Sequence, residues 1–186
     1  YSQEYEKLTA AIEKFYWDEE KGAYIDSFTS GKRNVTRHAN IFAILFDVAD
    51  KQKQEKILKN VLENDEIPAI TTPYFNFFEL DVLCQMGKLT EVLDKIRSYW
   101  GGMLDLGAIT FWEEYDPSVP KEEQYDMYGD HFGKSLCHAW AASPIYFLAK
   151  YFAGLDLVNR EETTYVLKPQ MQYFTELDCT LPVGNH

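Results

Sequence analysis

Two adjacent carboxylates, Glu113 and Glu114, stand between Trp112 and Tyr115 in the stretch Gly107-Ala-Ile-Thr-Phe-Trp-Glu-Glu-Tyr-Asp116. A carboxylate set against aromatic walls loses part of its hydration. Desolvation lifts its pKa toward the range in which it exchanges protons near neutrality. Flat aromatic faces also suit stacking on sugar rings. The string therefore points to acid–base work on a neutral, ring-shaped substrate. Surface acids beside core aromatics would produce the same letters and are the alternative reading.

Other side chains could join such a site. His138, in Cys137-His-Ala-Trp140, offers one donor and one acceptor when neutral, which suits a hydroxyl-rich ligand. A core histidine satisfied by backbone is the alternative, and Trp140 reads equally as a pocket wall or as packing. His38 and Asn40, in Arg37-His-Ala-Asn40, sit where a helix begins and could face a cavity or cap a loop. Tyr74 and Phe75 follow the same logic, while Asp130-His131 touches either substrate or nothing. Asp18-Glu19-Glu20 reads as solvated charge at a helix end.

The elements that must position these residues follow from periodicity. Helices are expected over about 4–15, 35–48, 51–64, 73–86, 89–100 and 135–152. Thr72-Pro73 is a start signal, with Thr at the N-cap and Pro at the first helical position, and Gly87 is a stop. Gly22 belongs to a turn, and Tyr24-Ile-Asp-Ser-Phe28 to a short extended piece. The Gly101-Gly102 pair reads as a helix break before a long segment, Leu104 to about Gly133, that lacks helical periodicity. So long a loop in a compact domain is functional or disordered, and its aromatics argue against disorder. From Thr163 on, Thr-Tyr-Val-Leu and Met-Gln-Tyr-Phe-Thr read as strands.

The helices alternate in kind. Those over 35–48, 73–86 and 135–152 are apolar nearly all round, whereas 51–64 and 89–100 carry one apolar stripe. The first kind must be covered on every side and the second lies at a surface. Hairpins that switch between them describe an inner and an outer ring, an α/α barrel. No residue pattern repeats from hairpin to hairpin, which argues against a solenoid.

Composition narrows the partners. The chain of 186 residues carries 12 Phe, 13 Tyr and 4 Trp and a net charge of −12. With no basic cluster longer than Lys32-Arg33, it cannot neutralise a phosphate backbone, so nucleic acid is excluded. Leu136–Leu155 is apolar enough to raise the membrane question, but His138, Pro144 and Lys150 interrupt it, and a buried helix is expected instead of insertion. Cys84, Cys137 and Cys179 form no metal or disulfide spacing and read as buried free thiols; no metal and no cofactor is expected. The chain opens Tyr-Ser-Gln-Glu and closes Leu-Pro-Val-Gly-Asn-His inside a strand and turn, so both ends read as cut.

Five stretches in order resemble the bacterial α-L-rhamnosidases: Arg37-His-Ala-Asn-Ile-Phe-Ala-Ile-Leu-Phe46, Thr72-Pro-Tyr-Phe75, Ile96-Arg-Ser-Tyr-Trp-Gly101, Gly107-Ala-Ile-Thr-Phe-Trp-Glu113 and Ser135-Leu-Cys-His-Ala-Trp-Ala-Ala-Ser-Pro144. The resemblance implies an inverting glycoside hydrolase on a six-hairpin (α/α) barrel. It implies a mainly α chain in which residues 1–155 form about half the ring, the C-terminal half of the catalytic domain, and 156–186 the start of a β region. In the family's Gly-Ala-Thr-Thr-x-Trp-Glu motif the Glu is the general base, and Glu113 stands at that position with Ile109 replacing the first Thr. His138 matches a family His that hydrogen-bonds sugar hydroxyls.

An inverting pair stands about 6.5–9.5 Å apart so that a water fits between. The family's acid lies on an earlier Asp/Glu-rich stretch with no counterpart here. The expected partner is therefore a rhamnosylated carbohydrate, with Glu113 catalytic and His138, Trp112, Trp140, Glu114, His38 and Tyr74 around the substrate. The isolated chain is expected to be inactive and to self-associate through its exposed inner-helix face. Another sugar specificity on the same barrel, or a non-catalytic carbohydrate- or peptide-binding module, are the competing functions.

Overall fold

The computed structural model describes residues 1–159 and 164–181. The chain is mainly helical and divides into two compact units, Tyr1–Ile70 and Thr71–His186.

In the first unit, α1 (Ser2–Tyr16) runs into a short hairpin of β1 (Trp17–Asp18) and β2 (Ala23–Tyr24), paired antiparallel. Asp18 is buried, against the expectation of solvated charge. Its Oδ1 accepts the Glu20 and Lys21 N–H groups and its Oδ2 accepts from Arg33 Nε at 2.7 Å, so it closes the turn that Gly22 completes at φ +59°. Only Glu19 and Glu20 remain exposed. Next, α2 (Arg37–Leu45) is locked to β2 by the fully buried Asn40, whose amide accepts the Tyr24 N–H and donates to the Tyr24 and Thr36 carbonyls. α3 (Lys51–Ile57) starts on an Asp50 N-cap that accepts the Lys53 N–H, and a π-helical turn, Leu58–Leu62, prolongs it. Ile41, Ile44, Ile57, Val61 and Tyr24 form this unit's core.

In the second unit, α4 (Pro73–Gln85) begins with Pro73 in its first turn; Thr72 occupies the cap position, but its side chain makes no cap bond. Gly87, at φ +75°, ends the helix. α5 (Leu89–Lys95) passes through a π turn, Ile96–Trp100, straight into α6 (Gly101–Asp105), so the Gly-Gly pair does not break it. The reason for a glycine lies at Gly102, where a Cβ would run into the Tyr115 ring.

The helix expected from Ser135 starts late. Residues 135–138 are not helical, Ala139–Ala141 is one 3₁₀ turn, and α7 (Ser143–Phe147) carries Pro144 in its first turn and runs on into a π turn, Leu148–Phe152. Phe77 of α4 packs on Phe147, and the Tyr151 hydroxyl donates to Asp81 at 2.9 Å. β3 (Leu155–Asn159) pairs antiparallel with β4 (Thr164–Leu167). β3 opens the stretch expected as a β region, ahead of the strands read from Thr163, and the Met171–Tyr173 stretch expected as a strand is a 3₁₀ turn. Thr163 and the closing Pro-Val-Gly-Asn-His lie outside the described residues.

Cys84 is buried, but Cys137 and Cys179 are exposed, contrary to the expectation of buried thiols. Among the described residues no helix is long and apolar enough to cross a membrane, and no group of His, Cys, Asp and Glu could hold a metal.

Candidate functional site

The long loop of the second unit owes its order to hydrogen bonds that a helix would have used internally. The Glu113 N–H donates to the Ser135 carbonyl at 2.9 Å, and the His138 N–H to the Phe111 carbonyl at 2.8 Å, so residues 111–113 run alongside 135–138. The Tyr115 N–H donates to the Thr71 carbonyl, which ties the loop to the start of α4. Trp112 is 3% exposed and faces Tyr125, which places it under the loop. The buried Gln124 amide donates to the Asp116 and Val119 carbonyls and holds the far limb. Each of these bonds satisfies a backbone group that burial would otherwise leave costly.

Glu113 sits on this frame with 9% exposure and a fixed carboxylate. Its Oε2 accepts the Ser135 N–H at 3.0 Å, and its Oε1 accepts the Tyr128 hydroxyl at 2.9 Å. His138 Nδ1 lies 3.8 Å from Oε2, too far for a hydrogen bond. Burial pushes the Glu113 carboxyl up. The Ser135 N–H, the Tyr128 hydroxyl and the charges of His138 and Lys134 outweigh it and hold the group below the ordinary glutamate range. This corrects the expectation of a raised pKa: the aromatic neighbours desolvate the group, but its donors win. A group held this way is ionised at neutral pH and ready to accept a proton, not to give one.

Glu114 points to other partners. Its Oε1 accepts the Thr71 hydroxyl at 2.8 Å, and its Oε2 lies 4.0 Å from the ammonium of Lys134, a nearly inaccessible side chain. Burial lowers the Lys134 pKa, with Glu114 the first of the acids that oppose the shift.

Beside the carboxylate, the His138 ring packs on Trp140, centroids 4.4 Å apart, and Trp140 on Tyr74 at 5.1 Å. Trp140 is 53% exposed and Tyr74 also faces solvent, so the three rings form an open aromatic shelf. The structure thus brings together Glu113, Glu114, His138, Trp140 and Tyr74, with Trp112 beneath. His38 lies exposed on α2 of the first unit. His131 pairs with Asp126 at 2.6 Å on the loop surface. Sequence reasoning missed Tyr128 and Lys134. The signal for Tyr128 was the Tyr128-Gly129 pair, a tight-turn dipeptide in which Tyr stands where Asn or Asp is usual.

Comparison with known proteins came to one family. Residues 1–152 match the model of the bacterial alpha-L-rhamnosidase 6 hairpin glycosidase domain. No protein among those with curated descriptions matches. A solved rhamnosidase from Klebsiella oxytoca with rhamnose bound is similar at 32% identity and a TM-score of 0.69, over 78% of this chain and 27% of that one. A GH78 family rhamnosidase of Bacillus sp. GL1 is similar at 29% identity and a TM-score of 0.73, over 88% of this chain and 17% of that one. The chain therefore spans about a quarter or less of these relatives' length.

Proposed function

Because the chain belongs to the bacterial alpha-L-rhamnosidase six-hairpin glycosidase domain family, we propose that the protein carrying it hydrolyses terminal α-L-rhamnosyl linkages with inversion, using Glu113 as general base. The observation that carries this reading is the Glu113 carboxylate itself, hydrogen-bonded on both oxygens and standing beside the His138–Trp140–Tyr74 shelf. Glu113 takes a proton from a water, and that water attacks the anomeric carbon on the face opposite the leaving oxygen. A second carboxyl, contributed from outside this chain, protonates the leaving oxygen. That a similar solved enzyme holds rhamnose supports the choice of sugar.

The contacts described above support the remaining roles. His138 hydrogen-bonds sugar hydroxyls, and Trp140 and Tyr74 present faces to the ring. Glu114, held by Thr71 and Lys134, lines the base of the site, while Trp112 supports the loop from below. Residues 1–155 make up the barrel portion and 156–186 open a β region.

Glu113→Gln in the full-length protein tests the base. The expected loss in kcat on an aryl α-L-rhamnoside is roughly 10²–10⁴-fold, with the fold retained by circular dichroism. A variant near full activity moves the base elsewhere, with Glu114 next. No turnover of any glycoside by the wild-type protein, with sugar binding intact, would make it a binding module.

A further inference from the structure

The Tyr128 hydroxyl reaches Glu113 from an unusual backbone. Met127 and Asp130 exchange two backbone hydrogen bonds, each 3.0 Å, around Tyr128 at φ +56° and Gly129 at φ +81°. Positive φ at both central residues is the pattern of a type I′ turn, which favours Asn-Gly or Asp-Gly. Gly129 fits. A bulky aromatic in the left-handed region is a true outlier, and such strain persists only where the surroundings hold it. Packing does not hold it here, because Tyr128 is 82% exposed. What the side chain does make is the 2.9 Å bond to Glu113 Oε1. Gly133 closes the loop from the other side: a Cβ there would run into the Met127 carbonyl, so the turn is pressed against its own base.

We infer that Tyr128 is a positioning residue for the general base: the strained turn holds its hydroxyl on one carboxylate oxygen while the Ser135 N–H holds the other. The two donors fix the carboxylate plane, leaving the remaining lone pair of Oε1 to face the attacking water. The inference rests on Glu113 being the base. The groups that face Glu113 are the Tyr128 hydroxyl, the Ser135 N–H, His138 and Lys134, with Glu114 as the neighbouring acid. Removing the hydroxyl takes away one donor to the ionised form and leaves the others. The carboxyl then protonates at higher pH, and the acid limb of the rate profile moves up.

The test compares Tyr128→Phe, Tyr128→Asn and Glu113→Gln in the full-length protein on an aryl α-L-rhamnoside. Phe keeps the ring and loses the donor; Asn suits the turn but cannot reach the carboxylate. Both are expected to lower kcat about 10- to 100-fold with KM little changed. Both should shift the acid limb upward by roughly half a pH unit or more. Tyr128→Asn should unfold at a temperature equal to or above wild type, which separates the catalytic loss from stability. Glu113→Gln with low activity but both Tyr128 variants within twofold of wild type, limb unmoved, overturns the inference alone. A kcat loss that tracks a lowered unfolding temperature, with no limb shift, makes Tyr128 structural and also overturns it. Glu113→Gln near full activity removes the premise.

Discussion

Glu113 is kept in the state that its proposed role as base requires by what it accepts, not by what surrounds it. Glu113 is nearly buried, and burial by itself would have favoured the protonated acid. Two donors, with His138 and Lys134 close by, reverse that outcome, while Glu114 is tied to Thr71 and Lys134. The residues proposed to face substrate belong to the same scale. Trp140 leaves half its surface open although it packs on His138 and Tyr74, so its free face is available to a sugar ring. Trp140→Ala is expected to raise KM about 10-fold, equivalent to about 1.4 kcal/mol, while kcat stays within a few-fold. Such a split is the mark of binding shared by ground and transition states. An unchanged KM would take Trp140 off the substrate face. The sequence singled out Glu113 through the resemblance of Gly107-Ala-Ile-Thr-Phe-Trp-Glu113 to a local family motif, the Trp-Glu-Glu-Tyr string alone fitting surface acids as well. The direction of its pKa was not legible, because the donors at Ser135 and Tyr128 come from beyond the string and their geometry depends on backbone pairing.

Elements explain why the site has a frame at all. Periodicity placed α1 to α5 to within a few residues, since those helices bury stripes or faces that the sequence spells out. It failed where a helical-looking run is recruited by a loop. Ser135 to His138 carry apolar neighbours on helical spacing, yet their backbone is held by residues 111–113, a partner more than twenty positions away. The helix then starts where Pro144 can occupy its first turn. Gly101-Gly102 misled in the opposite sense. It reads as a break, but the helix continues through it, and Gly102 is a site of close approach for Tyr115. Tyr115 follows the two carboxylates directly and also packs on Tyr99 at 5.5 Å, so it cannot retreat freely. Gly102→Ala is therefore expected to destabilise the protein by about 1–3 kcal/mol, the usual cost of overpacking, although Ala is the better helix former. A lowered unfolding temperature together with reduced kcat would show the loop displaced; a more stable variant would mean that Tyr115 swings away without consequence.

For the whole molecule the controlling facts are its exposed apolar side chains and its charge. The chain corresponds to 27% of one solved rhamnosidase and 17% of another, and it leaves large apolar side chains in water. Leu8 and Phe46 are exposed in the first unit, and Leu104, Ile109, Phe132 and Ile145 in the second, with Ile109 at 97%. Exposure on this scale favours association. The net charge of −12 opposes it, because identical chains repel over a distance set by salt. At 0.01 M salt the screening length is about 30 Å and repulsion reaches across a whole neighbour; at 0.15 M it is about 8 Å and apolar contact prevails. The isolated 186-residue chain should therefore sediment as a monomer at low salt and as larger species at physiological salt, with a mass that rises with protein concentration. The same preparation should show no turnover of an aryl α-L-rhamnoside in either state, because self-association supplies a second copy of Glu113 but not the family's acid-bearing stretch. A salt-independent monomer would mean that the exposed side chains are too dispersed to form a patch. Measurable hydrolysis would mean that a carboxyl within this chain serves as the acid.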